Sequence, residues 1–213
     1  AIGMAGSGKS IACCWDMFMS AMLVPGFRGL MLRQTQRSLS ATTLVTFQKE
    51  VAQQAIKDGS CWWYGGSPKD PPAFRFSNGS SVTVAGCDTP EKFLSLSLDA
   101  VFIDEAIEVD LNTIETLTTR MRGIAPIRKK ILLATNPSHP RHFIKQKIDS
   151  GEYSAHTSTH RDNPAYCMAD GTYTAMGLSY LQKLETITGV RRQRLLYGRW
   201  AAAEGTVYSG WNE

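Results

Sequence analysis

Eight residues near the start of the chain, Gly3-Met4-Ala5-Gly6-Ser7-Gly8-Lys9-Ser10, have the spacing of a phosphate-cradling loop. Glycine lets consecutive backbone N–H groups turn inward on an anion, and the helix that follows adds its N-terminal partial positive charge. Lys9 is placed to reach the terminal phosphates and the Ser10 hydroxyl to ligate Mg2+. The alternative is a Gly/Ser-rich turn that merely caps a helix. The apolar run Ile11-Ala12-Cys13-Cys14-Trp15 and Met17-Phe18-Met19 argues against it, because a helix apolar on most faces is expected to be buried.

A second group is Leu98-Asp99-Ala100-Val101-Phe102-Ile103-Asp104-Glu105, an apolar strand ending in two carboxylates. Beside a phosphate loop, the first acid, Asp104, would hold Mg2+ opposite Ser10. The second, Glu105, would act as general base on an attacking water. An acidic helix cap after a strand is the structural alternative. Third, Ile131-Leu132-Leu133-Ala134-Thr135-Asn136-Pro137 reads as a buried strand ending in two hydrogen-bonding side chains. Thr135 and Asn136 would sense a γ-phosphate; a plain Thr-Asn-Pro turn is the alternative. Arg33 ends the strand behind the loop helix and has two open readings, a cation for the transferring phosphoryl group or a solvated strand-end arginine. All these motifs fall at carboxyl ends of strands, where ligands bind in open α/β sheets.

The elements that must position them alternate. Residues 27–33 read as a strand and 38–56 as a helix with Leu44, Phe47, Val51 and Ala55 on one face. Residues 62–64 read as a strand, and Asn78-Gly79 between 73–76 and 81–86 marks a hairpin. Strands at 100–103, 130–135 and near 153–158 and helices at 111–121 (Asp110 as cap), 142–148, 173–187 and 190–200 complete the pattern, Gly189 separating the last two. This predicts an α/β fold: a mostly parallel sheet flanked by helices, with a small C-terminal helical subdomain. A boundary is expected near residue 160, giving a core over 1–160 and a helical lid over 161–213. Only Ala1 and Ile2 precede Gly3, so the feeding strand and any upstream base-contacting segment are expected to be missing.

The 213 residues are 43% hydrophobic and 20% charged, with a net charge of +4. That is mildly basic and permits a polyanionic partner without requiring one. Arg191, Arg192, Arg194 and Arg199 form one basic group, and Arg120, Arg122, Arg128, Lys129 and Lys130 another. Each is either a solvated face or a contact to nucleic acid or a subunit. No apolar run is long enough to span a bilayer, so no membrane partner is expected. Five cysteines without metal spacing read as buried thiols in a reducing compartment. There is no Asn-Lys-x-Asp guanine-reading motif, so ATP is the expected nucleotide, with Mg2+.

The loop and the Asp104-Glu105 and Thr135-Asn136-Pro137 pairs occur in order with Phe76-Ser77-Asn78-Gly79-Ser80, Gly86-Cys87-Asp88-Thr89-Pro90-Glu91-Lys92, Asp162-Asn163-Pro164, Gly198-Arg199-Trp200 and Glu204-Gly205-Thr206-Val207-Tyr208. This ordered set resembles the large terminase subunit of tailed bacteriophages over essentially the whole chain. The resemblance implies a RecA-like phosphate-loop ATPase domain that pumps double-stranded DNA into a procapsid. It also implies partners: the portal protein, the small terminase subunit and a homo-oligomeric ring, working in the host cell cytoplasm. Thr135 and Asn136 would couple hydrolysis to movement. Two departures stand out. Ala5 occupies a loop position where the family often has arginine, so a transition-state cation would come from Arg33 or a neighbouring subunit. The family continues into an RNase H-like nuclease, which is not expected in a chain ending at Glu213. A helicase-like remodeller and a nucleotide-gated assembly module are the competing readings; a dedicated base at Glu105 argues against the second.

Overall fold

The computed structural model describes residues 1–203, so the Glu204–Tyr208 part of the pattern lies outside the described residues. The chain divides into two compact units, Lys9–Thr135 and Ala1–Gly8 together with the chain from Asn136 onward. A short strand, β1 (Ile2–Gly3), opens the latter.

The Lys9–Thr135 unit contains α1 (Lys9–Leu23), β2 (Arg28–Arg33), α2 (Gln36–Ala41), α3 (Thr43–Thr46), α4 (Gln53–Lys57), β3 (Cys61–Tyr64), β4 (Ala73–Phe76), β5 (Ser81–Gly86), β6 (Ala100–Asp104), α5 (Leu111–Thr118) and β7 (Lys130–Ala134). The strands form one sheet in the order β3-β4-β5-β2-β6-β7. The β5, β2, β6 and β7 block is parallel, and β3 and β4 add an antiparallel edge. The fold is the expected α/β arrangement with a mostly parallel sheet. The Asn78-Gly79 hairpin forms as read, Gly79 taking φ +83°. Its tip also holds the neighbouring helix, since the Asn78 amide donates to the Ala21 and Met22 carbonyls (2.9 and 3.0 Å) at the end of α1. It thereby satisfies acceptors that a helix C-terminus leaves unpaired.

Three expectations need correction. The single helix over 38–56 is broken into α2, α3, a π-helical turn (Phe47–Val51) and α4. The first break is at Thr42 (φ −129°, ψ −82°), whose hydroxyl donates to the Ser38 carbonyl (2.7 Å) and competes with the helical ladder. The apolar spacing still has its effect: Phe47 packs on Phe18 and Phe74, and Val51 and Ala55 are buried. Secondly, β7 is mostly half-buried, because it is the edge strand of its sheet. Thirdly, α1 buries Cys13, Cys14, Met17, Phe18 and Ala21 but leaves Trp15, Met19 and Leu23 exposed. Those three recur every fourth residue and share the face turned away from the buried side.

In the other unit β1 pairs in parallel with β8 (Thr157–Ser158). Its helices are α6 (Phe143–Asp149), α7 (Ala175–Glu185) and α8 (Gly189–Leu195). His142 caps α6 and Thr174 caps α7 through their side chains. Gly189 opens α8 instead of separating two helices, and α8 stops at Leu195, short of the expected 200. The stop has a cause: Gly198 turns the chain with φ +65°, and the Arg194 guanidinium binds the Ala201 carbonyl through Nε (2.9 Å) and Nη2 (2.6 Å). No helix among the described residues is long and apolar enough to cross a membrane.

Candidate active site

Sheet register brings the strand-end residues level. Leu32 pairs with Ile103, and Asp104 pairs with Ala134. Arg33, Asp104-Glu105 and Thr135 therefore stand side by side at the carboxyl edge of β2, β6 and β7. Thr135 is buried, and Asn136 belongs to the other unit.

Asp104 is the hub. Its Oδ1 accepts from the Ser10 hydroxyl at 2.7 Å and its Oδ2 from the Thr43 hydroxyl at 2.6 Å. The carboxylate is 5% exposed, so these bonds stand in for water it has lost. Thr43 was not legible as a site residue. It lies at the helix break that periodicity missed, and a lone Thr in a helical run carries no signal.

Glu105 has φ 51° and ψ 49°, the one non-glycine residue among those described with positive φ. Such a conformation costs about 1–3 kcal/mol and clusters at functional sites. It turns the chain out of β6 at once, so that two successive carboxylates both serve the strand end. Arg33 Nη2 lies 3.8 Å from Glu105 Oε1, and the arginine side chain is only 15% exposed. The solvated reading of Arg33 is therefore not what the structure has. Its Nη1 also donates to the Ser38 carbonyl (3.4 Å) and to the Thr42 hydroxyl. Burial pushes the Glu105 carboxyl above its usual range, the Asp104 charge adds to that, and Arg33 and Lys9 oppose it. Burial brings the Lys9 ammonium down to about 8, while the Glu105 and Asp104 carboxylates pull it back up.

The Gly3–Gly8 stretch is held within its own unit. Met4 N–H donates to the Ser158 carbonyl (3.2 Å) and Ala5 N–H to the Leu195 carbonyl (3.0 Å). The Asn163 amide donates to the Gly6 carbonyl at 2.7 Å, and the Ser7 and Ser158 hydroxyls pair at 2.8 Å. Asn163 is thus a second residue whose role spacing alone did not reveal: it fixes the loop's outer carbonyl. A Cβ at Gly3 would lie 2.1 Å from the Ser158 carbonyl oxygen, which only glycine avoids. Gly6 and Gly8 take φ +71° and +83°. Among the described residues neither of their N–H groups donates to the protein. Lys9 and Ser10 begin α1, whose first N–H groups lack helical acceptors.

The basic groups divide. Lys129 pairs with the buried Asp99 (2.6 Å) and Lys130 with Asp16, so both are structural. Arg194 is committed to Ala201, whereas Arg191 and Arg199 are exposed. All five cysteines are free thiols; Cys87 is half-buried and the others are buried.

Three comparisons bear on identity. Over its full length the chain is similar to the large terminase of a thermophilic bacteriophage, with a TM-score of 0.73 and 18% identity; it spans about half (50%) of that protein. It is similar to the large terminase ATPase domain of Thermus phage P74-26, with a TM-score of 0.60 and 14% identity over 94% of this chain and 88% of that one. At 10% identity and a TM-score of 0.57 it resembles the HK97 bacteriophage large terminase over 87% of this chain and 43% of that one. These likenesses concern the fold. No curated protein matches the chain. The profile of the family described as phage terminase large subunit matches residues 1–184, most of the chain, and the chain belongs to that family.

Proposed function

We propose that this chain is the ATP-hydrolysing motor portion of a phage packaging terminase and drives double-stranded DNA into a procapsid. The observation that carries the reading is the Ser10–Asp104 hydrogen bond (2.7 Å), with Glu105 turned into the left-handed region directly after it. The similar terminase of the thermophilic bacteriophage has been solved in complex with ADP and with ATP-gamma-S, which supports nucleotide binding at the matching loop here.

The donor set fits Mg2+: hard oxygens from a hydroxyl and a carboxylate, with few protein ligands. When bound, the ion would neutralise charge on the β- and γ-phosphates. Ser10 and Asp104 would hold it, and Thr43 keeps Asp104 oriented. Gly3, Met4, Ala5, Gly6, Ser7 and Gly8 form the phosphate loop, and Lys9 supplies the cation nearest the terminal phosphates. Glu105 takes the proton of the attacking water; the raised carboxyl makes it a better base than an exposed glutamate. Arg33, facing Glu105, would orient that carboxylate and supply a cation for the developing phosphoryl charge. Thr135 and Asn136 would report the γ-phosphate to the chain beyond them. The core over 1–160 and the helical lid over 161–213 belong to the same reading and rest on the change of sequence texture near residue 160; the portal protein, the small terminase subunit, the homo-oligomeric ring and the host cytoplasm rest on family membership.

The test is Mg2+-dependent ATP hydrolysis with and without duplex DNA, for the parent, Ser10→Ala and Asp104→Asn. Turnover is expected in the parent, and its loss in both variants. Variants that hydrolyse ATP at the parental rate would overturn the assignment. Hydrolysis that ignores DNA would favour the nucleotide-gated assembly module instead.

A further inference from the structure

At the amino edge of the sheet, the end away from Asp104 and Glu105, the Lys9–Thr135 unit contains a cavity of about 160 Å³ that none of the roles above uses. Its floor is Arg28 and Gly29 of β2 with Ser81 and Thr83 of β5, and its wall is the segment 95–98 that leads into β6. We propose that it is a second anion site, which takes a single phosphate group through the Arg28 guanidinium and the hydroxyls of Thr83, Ser81 and Ser95.

Strand alternation is the first argument. Val82 and Val84 are fully buried, and Val82 pairs with Gly29, where an added Cβ would meet Met17 of α1. Ser81 and Thr83 therefore face the other way, with Arg28 beside Ser81 in register. The state of these groups is the second argument. Thr83 is 7% exposed, and among the described residues its hydroxyl has no hydrogen-bond partner. Buried hydroxyls are ordinarily paired, so this one calls for a ligand in the cavity it lines. Arg28 is exposed, and its guanidinium enters no ion pair among the described residues. By contrast Arg75, in register with Ser81 on β4, is engaged with Asp70 (3.7 Å) and lies over the Tyr64 ring (3.8 Å). The acid that follows the wall, Asp99, is fully buried and accepts from Lys129 Nζ (2.6 Å) and from the N–H groups of Arg28 and Ala125 (2.9 and 3.2 Å). Its charge is met there, which leaves the Arg28 guanidinium for an anion. The wall is the third argument, because it is held in place. Leu98 N–H donates to the Arg120 carbonyl (2.8 Å) and Gly123 N–H to the Leu98 carbonyl (2.9 Å). Arg122 Nε donates to the Ser97 hydroxyl (3.2 Å), which brings a second guanidinium to the wall. Size and lining then select the ligand. A cavity of about 150 Å³ takes a benzene-sized molecule, so a phosphate group fits here and a nucleoside does not. Hydroxyls around an arginine fork suit phosphate oxygens. Inorganic phosphate and a phosphodiester of a nucleic-acid backbone present the same oxygens, and the test separates them.

The test follows backbone amide NMR shifts of the isotope-labelled chain as orthophosphate is added to the parent, Arg28→Gln and Thr83→Val. In the parent, saturable shifts are expected at residues 28–29, 81–83 and 95–98, apart from any at 3–10. The affinity read from those amides should fall roughly tenfold or more in Arg28→Gln and severalfold in the isosteric Thr83→Val, while any response at 3–10 keeps its parental affinity. A parent whose amides at 28–29, 81–83 and 95–98 do not respond overturns the site, and so does parental affinity at those amides in both variants. A second arm adds a short DNA duplex to the parent. Duplex that shifts the same amides and is displaced by orthophosphate identifies the ligand as a backbone phosphate; duplex that leaves them unmoved identifies it as free phosphate. Either result, beside the orthophosphate response, supports the proposal. The readout at these amides does not depend on ATP, so the site and the phosphate-loop reading fail separately.

Discussion

At the carboxyl edge of β2, β6 and β7 the charged groups are buried or half-buried and engaged with one another, whereas the arginines between 191 and 199 share a stretch of sequence and little else. Arg33, Asp104 and Glu105 come from segments about seventy residues apart, yet strand register sets them level. Arg191, Arg192, Arg194 and Arg199 are neighbours in sequence and take different roles: Arg191 on α8 and Arg199 beyond its end are exposed, and Arg194 closes the chain behind α8. Proximity in sequence is a poor guide to joint function on a short helix, because successive side chains point around its axis. Position at the end of a parallel strand is a good one, because neighbouring strands bring their last residues to the same edge.

The comparison breaks most sharply at Lys9. Lys9→Ala is expected to weaken ATP binding by roughly 10²-fold or more, because charge-assisted bonds to phosphate are lost in a desolvated site. A nucleotide titration reads this, and parental affinity would place the phosphates elsewhere. Next is Thr43. Thr43→Val keeps the shape but leaves Asp104 Oδ2 without its 2.6 Å partner, at a cost of about 1–3 kcal/mol in stability, and Thr43→Ser should restore most of it. Thermal unfolding of the pair checks this; an unchanged Thr43→Val would make the hydroxyl incidental.

The pH profile is a milder test of the same burial. Burial brings Lys9 to lose its charge near pH 8 before nucleotide binds, while bound phosphate favours the ammonium. Affinity should therefore hold below about pH 8 and fall as pH rises through it, by up to tenfold per unit. Lys9→Arg should lose that limb. On the acid side Glu105 must be ionised to act, and its carboxyl is raised, so turnover should fail at a higher pH than an ordinary carboxylate would give. The smallest effects belong to the arginines of α8 and of the turn after it. If Arg191 and Arg199 meet DNA phosphates, replacing either by Ala should lower the slope of log affinity against log salt by about 0.9. Arg194→Ala should leave that slope alone and instead loosen the segment around Ala201. The reverse pattern would return the exposed arginines to a solvated role.

The sequence was legible where local chemistry and strand pattern agree. The phosphate loop, the apolar strand ending in Asp104-Glu105 and the Asn78-Gly79 turn each follow from residue types within a few positions. Thr43 was not legible, since it starts a short helix and its partner lies sixty-one residues away at the end of a strand. Nor was the break at Thr42, where a side-chain hydroxyl displaces a helix that spacing alone supports. Asn163 stood out only as part of the Asp162-Asn163-Pro164 segment, and only the fold sets its amide against the Gly6 carbonyl. The half-exposure of β7 depends on its place at the sheet edge, and an apolar run has the same composition at the edge as in the centre.

The central claim is that Glu105 is the base of an ATP-hydrolysing site built on Asp104 and Ser10. Glu105→Gln keeps the side chain's size and removes its basicity. Steady-state turnover and ATP affinity, measured on the same preparation, test the claim directly. The expected result is affinity within twofold of the parent and turnover lower by roughly 10²-fold or more. Unchanged turnover with unchanged affinity would mean that another group activates the water, and the account of this strand end would be wrong.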